Sequence, residues 1–119
     1  MRAVVSTALA IGLIAPPALA QDRSPAARQN LVELAYVLGE SHALRQTCRP
    51  DDQYWRNRMS QLIDVEAADQ SLQARLANTF NTGYAAAKAR FPACNQALKA
   101  EASQLGLQGQ ALSQQLAGP

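Results

Sequence analysis

The chain has few residues that do chemistry. It holds one histidine, two cysteines and one tryptophan, and aromatic residues make up 5% of it. One histidine cannot build the paired-imidazole sites that hold zinc, or the H-E-x-x-H helix of a metalloprotease. There is no G-x-S-x-G, no phosphate-cradling glycine loop, no C-x-x-C and no calcium-loop spacing. A Ser–His–Asp triad would have to use His42, and the neighbours of His42 in sequence do not establish one. Charges are scattered and the net charge is only +2. That excludes the basic stripe with which proteins neutralise nucleic-acid phosphates. β-branched and aromatic residues are sparse while Ala, Leu, Gln and Arg are abundant, which favours helix over sheet.

The N-terminus is the most informative stretch. Met1 to Ala20 reads as a secretory signal peptide. Arg2 supplies the positive end, Ala3 to Ile14 is an apolar run too short to span a bilayer, and Pro16-Pro17 breaks it. Ala18-Leu19-Ala20 is an A-x-A cleavage site, and cleavage after Ala20 leaves Gln21 as the new terminus. No cysteine follows the site, so no lipid anchor is indicated, and no later apolar run approaches membrane-spanning length. Loss of Arg2 lowers the net charge to about +1. The expected product is extracytoplasmic, which in a bacterium means the periplasm, with no transmembrane anchor after cleavage. An oxidising compartment favours a disulfide between Cys48 and Cys94. Such a bridge closes a loop of about 45 residues, worth roughly 4 kcal/mol on the chain-entropy account.

Helical periodicity runs through the rest. Helix one begins near Ser24-Pro25, carries Leu31, Leu34, Ala35, Leu38, His42 and Arg45 on one stripe, and ends around Cys48 to Pro50. Helix two starts at Asp51 or Asp52, with Trp55, Met59, Leu62, Ile63 and Glu66 on its stripe. Helix three starts at Asp69 or Ser71, carries Leu72, Leu76, Phe80, Gly83, Tyr84 and Ala87, and stops at Phe91-Pro92. Helix four runs from about Ala93 to Leu116, and Gly106 and Gly109 predict fraying of its second half. In domain terms, residues 1–20 are the signal, 21–30 an N-terminal lead-in, and 31–119 a helical domain with a frayed C-terminal segment. Short connections predict antiparallel neighbours, hence an all-α, four-helix up-down bundle. That order brings Cys48 and Cys94 to the same end, so bundle and disulfide imply each other.

Polar residues on the apolar stripes are the candidate site. Arg45 and Glu66 both fall on buried faces, where a lone charge is costly. The expectation is that they pair, with His42 or Tyr84 completing a buried polar network or a pocket for a polar ligand. Trp55 has the spacing of a core residue, and Arg56 and Arg58 beside it form either a solvated face or, with it, an interaction surface. Gly39 and Gly83 cost stability inside helices, and either close helix approach at one crossing or a kink would justify them. Asp64, Glu66 and Asp69 form a loose acidic group without the geometry of a carboxylate pair. No metal site is expected. His42 and Cys48 point about 240° apart on one helix, and the disulfide consumes both thiolates. No cofactor is expected either.

Three blocks carry a family resemblance. They are Leu38-Gly39-x-x-His42-x-Leu44-Arg45-x-x-Cys48, then Trp55-Arg56-x-x-Met59-x-x-Leu62-Ile63-x-x-Glu66, then Phe80-Asn81-x-Gly83-Tyr84 followed by Cys94. Together they resemble a domain-of-unknown-function family of small secreted alphaproteobacterial proteins. The resemblance implies a periplasmic, helical, two-cysteine protein and supplies no activity, so it transfers no catalytic or binding residue. The chain departs from the pattern at Ala43, where an aromatic is usual, in Ala85-Ala86-Ala87, and in its Gln-rich tail. The function expected from these features is a non-enzymatic interaction or structural module of the cell envelope. Its partner would be a periplasmic or envelope protein, or a second copy of the chain, and not nucleic acid. The alternatives are a small polar-ligand-binding protein and a cell-wall-active hydrolase.

Overall fold

The computed structural model describes residues 19–118, so the leader assigned to residues 1–20 lies almost wholly outside the described residues. A single 3-10 turn at Ala20–Asp22 leads into four helices, α1 Pro25–Cys48, α2 Tyr54–Val65, α3 Gln70–Arg90 and α4 Gln96–Leu116. The caps follow from the sequence. Ser24 accepts the Ala27 N–H at 3.1 Å with Pro25 in the first turn. Asp69 accepts the Leu72 N–H at 2.8 Å, and Asn95 accepts the Leu98 N–H at 3.0 Å. Helix α2 starts later than Asp51 or Asp52, because the Asp52 N–H closes a turn onto the Arg49 carbonyl. The Asp52 carboxylate then accepts the Tyr54 N–H at 2.9 Å. Ala67, just past α2, has φ 47°, a left-handed turn that more often carries glycine.

The helices run up, down, up, down. Helices α1 and α3 are parallel, since Gln29 meets Arg75, Tyr36 meets Gly83 and Gln46 meets Tyr84. Helix α4 is antiparallel to α1, since Asn30 meets Gln115 and Val37 meets Gly109. The substantial helix packings among the described residues all involve α1. From Leu31 to Leu44, every residue of α1 except Glu33 and Tyr36 is buried. The single stripe expected on this helix is therefore a belt. A helix with three neighbours buries most of its circumference, and residues 31–44 supply small or apolar side chains nearly all round. The other helices keep narrow stripes, and α2 buries only Met59.

Two glycines set the spacing of α1 and α3. A Cβ on Gly39 would collide with the Phe80 carbonyl oxygen, and one on Gly83 with the Tyr36 carbonyl oxygen. The two backbones are in contact, and no side chain fits between them. Leu31 and Leu44 of α1 and Leu76 of α3 are the largest fully buried side chains, and Phe80 belongs to the same core cluster. At the far end of the same helix pair, Cys48 and Cys94 form the disulfide, with Cα atoms 5.0 Å apart.

Helix α4 keeps its helical form through Gly106 and Gly109. It is continuous to Leu116, with Leu105, Leu112 and Leu116 buried against the core. Gly109 packs on Val37 and Leu34 of α1, while Gly106 faces open space. The apolar repeat on α4 outweighs the cost of two glycines, about 1 kcal/mol each.

Gly39→Ala is expected to destabilise the fold by about 3 kcal/mol, the upper end of overpacking costs, because the obstacle is backbone and cannot rotate away. Gly106→Ala, with nothing near its Cβ, is expected to stabilise by about 0.5–1 kcal/mol. Denaturant unfolding of both variants checks this. Stabilisation by both would contradict the backbone contact.

Candidate functional site

The buried acid of α2 is where the sequence put it, but its partner is not. Glu66 is 3% exposed, and its carboxylate takes a two-point contact from Arg23, Nε to Oε2 and Nη2 to Oε1, both at 2.8 Å. The third side of that guanidinium donates to the Leu116 carbonyl at 2.9 Å, which satisfies the end of α4. The Glu66 carbonyl accepts the Ala20 N–H at 3.0 Å. Glu66 thus ties the N-terminal lead-in, the α2–α3 turn and the C-terminus into one knot. Loss of either Arg23 or Glu66 alone leaves a buried charge uncompensated, a cost of about 3–5 kcal/mol.

Arg45 does not reach Glu66. It pairs with Asp52 at 2.8 Å, and its guanidinium lies 4.8 Å over the Tyr54 ring. The reason is topological. Arg45 is in the last turn of α1, and α2 runs back toward the start of α1, so Glu66 ends beside Arg23. The two sites are separated by the length of α2, about 18 Å for its 12 residues at 1.5 Å per residue. The expected four-residue network is therefore two ion pairs at opposite ends, and His42 and Tyr84 belong to neither.

His42 and Tyr84 do come together. Their ring centroids are 5.3 Å apart, and Phe80 stands 5.6 Å from the imidazole on the same wall. The Tyr84 hydroxyl donates to the Gln46 side-chain oxygen at 2.8 Å. These residues line a cavity of about 410 Å3 between α1, α2 and α3. Buried His42, Met59 and Phe80 make its floor, and exposed Arg56, Ser60 and Asn81 make its mouth. His42 is 5% exposed, and its Nδ1 is a buried polar atom without a hydrogen-bond partner. Burial, reinforced by nearby Arg56 and opposed by Asp52, holds the imidazole pKa below its usual value.

The surface expected from Trp55, Arg56 and Arg58 is split by α2. Arg56 turns toward the His42 cavity. Trp55 and Arg58 line a second depression, of about 460 Å3, on the other side of the helix. Leu34 and Leu38 of α1 and Leu105, Gly106 and Gly109 of α4 complete it. Trp55 is half-buried, packed edge-on against Tyr54 with centroids 4.9 Å apart. Two charged groups escaped the sequence reading. Arg23 lay in a segment read as a lead-in. Glu40, 8% exposed on α1, was hidden inside the apolar run, and its carboxyl pKa is raised by burial and then by neighbouring Glu101.

Residues 27–118 match the family described as Protein of unknown function (DUF2385). The chain belongs to this family. No curated protein and no solved structure matches the chain. The DUF2385 match covers α1 from Ala27 onward, the other three helices, the disulfide and the His42 cavity, while Arg23 precedes it. Among the described residues no helix is long and apolar enough to cross a membrane, and no group of three or more His, Cys, Asp or Glu residues could hold a metal ion.

The His42 environment sets a pH dependence. Because the folded-state pKa lies below the ordinary value near 6.5, the unfolded chain binds the proton first. The contribution of neutral His42 is complete above about pH 6.5 and declines as the pH falls below it. The raised Glu40 pKa acts with the opposite sign and cancels in a difference between variants. The native chain should therefore lose stability relative to His42→Gln from pH 7 toward pH 5 in denaturant titrations. A difference independent of pH would contradict a desolvated imidazole.

Proposed function

We propose that this chain is an exported, non-enzymatic binding module of the cell envelope, working in the periplasm and meeting a protein partner with the α2 side. One observation carries this reading. Helix α2 packs on α1 but leaves an open concavity along each flank, and the groove toward α4 is floored by Leu34 and Leu38 and rimmed by Trp55, Arg58 and Val65. Val65 is 57% exposed beside that groove. An aromatic residue, an arginine and aliphatic side chains around a concavity are what protein partners commonly use as anchors. The leader-like N-terminus supports export. Processing after Ala20 would remove the Ala20 contact with Glu66 and leave Arg23 as the tie to the N-terminus.

A second reading, capture of a small polar ligand, is favoured by His42, which lines the floor of the other concavity and whose buried Nδ1 has no hydrogen-bond partner. The hydrolase alternative needs two acids flanking a cleft. Of the acids near the α2–α3 turn, Glu66 is bound to Arg23, Asp69 caps α3 and Asp64 is exposed.

Site-specific photo-crosslinking in cells that export the chain by its own leader tests the proposal. A crosslinker at Gln61, in the groove, should give a discrete adduct with an envelope protein. That adduct should disappear in Val65→Asp and be absent when the crosslinker sits at Asn78 on the far face of α3. The chain recovered from the periplasm should begin at Gln21. Adducts indifferent to position, or a chain retained in the cytoplasm, would contradict the proposal.

A further inference from the structure

We propose that the His42 cavity is a binding site for a small carboxylate carried on an apolar or aromatic body. The inference rests on the ligand-capture reading above and names its chemical class. Three features of the cavity converge on it.

The first is charge. Arg56 is the one formally charged side chain lining the cavity, and no aspartate or glutamate lines it. The structure engages Arg23 with Glu66 and Arg45 with Asp52, whereas Arg56 has no ion-pair partner among the described residues. A guanidinium presents forked donors that match a carboxylate. A single cation above an apolar floor suits a monoanion better than a phosphate dianion, and it repels an ammonium.

The second is the unpartnered imidazole. A buried polar atom without a hydrogen bond is costly, and native proteins keep few of them. His42 Nδ1 is one, an occluded atom of a ring that lines the cavity floor, so the site carries unspent hydrogen-bonding capacity beside the space an occupant would fill. Its neutral ring does not compete with Arg56 for the anion.

The third is shape. A volume of about 410 Å3 lies at the small end of the range for ligand sites. The His42, Phe80 and Tyr84 rings supply a wall on which a flat or branched apolar group packs. Mouth and floor thus divide the work, with Arg56 holding the carboxylate and the aromatic wall the body.

The test uses phenylacetate, its neutral amide phenylacetamide and the cation phenethylamine as probes, titrated into the full folded chain and followed by amide NMR. Phenylacetate should saturably shift the resonances of His42, Phe80 and Tyr84, and phenylacetamide should bind about tenfold more weakly. Phenethylamine should not shift them. Arg56→Gln, an exposed change, should bring phenylacetate down to the level of the amide, and Arg75→Gln on the far face of α3 should not. Equal binding of acid and amide would overturn the carboxylate class while leaving ligand capture standing. Preference for the acid that survives in Arg56→Gln would overturn the role of Arg56. No saturable shift from any probe would overturn both the class and the ligand-capture reading.

Discussion

The backbones of α1 and α3 touch where Gly39 meets Phe80 and Gly83 meets Tyr36, and the other helices occupy the room that this contact leaves. Such proximity is impossible with any side chain at those two positions, so the pair must be glycine despite the cost inside a helix. It makes α1 and α3 a rigid rib, closed at one end by the Cys48–Cys94 disulfide. Helix α4 covers the adjoining side of α1 through leucines, and α2 is left to bridge the remaining face with little burial of its own.

That division of labour separates stability from binding. The core is built on α1, which is buried almost all round between Leu31 and Leu44. Helix α2 contributes Met59 to the core and half-buried Trp55, Leu62 and Ile63 around it, and it is flanked by the two concavities. Regions with few buried apolar contacts are the ones that proteins can open or adapt to a partner at modest cost. The ends of α2 are pinned by charge, at one end through Arg45 and Asp52 and at the other through Arg23 and Glu66. The helix is held at both ends and loosely along its length.

Much of this was legible in the sequence where the signal is local. Ser24 and Asp69 sit before apolar runs and cap as such residues do, Pro92 ends α3, and two cysteines in a helical chain pair at one end of the bundle, whereas the cap of α4 is Asn95, two residues beyond the start near Ala93 that the sequence suggested. The two glycines at midhelix pointed to a crossing. What was lost was information held between elements. Glu66 was correctly placed inward, but a pairing with Arg45 is at odds with the antiparallel α2 that the short connections already imply, and its actual partner Arg23 lies before the first apolar stripe, where no periodicity marks it. Arg56 and Arg58 are two residues apart, which places them on opposite flanks of α2 once it is packed. Leu105, Leu112 and Leu116 outweigh Gly106 and Gly109 only because α1 offers them an apolar surface, which a single-helix propensity does not include.

The central claim is that a glycine-locked α1–α3 rib carries the fold while α2 is the loosely held binding face. Amide hydrogen exchange on the full chain tests it most directly. The account predicts that amides from Leu31 to Leu44 and around Phe80 to Gly83 exchange only with global unfolding, while those of α2 exchange through a local opening at much lower free energy. Protection of α2 equal to that of α1, or exchange of α1 ahead of α2, would contradict it.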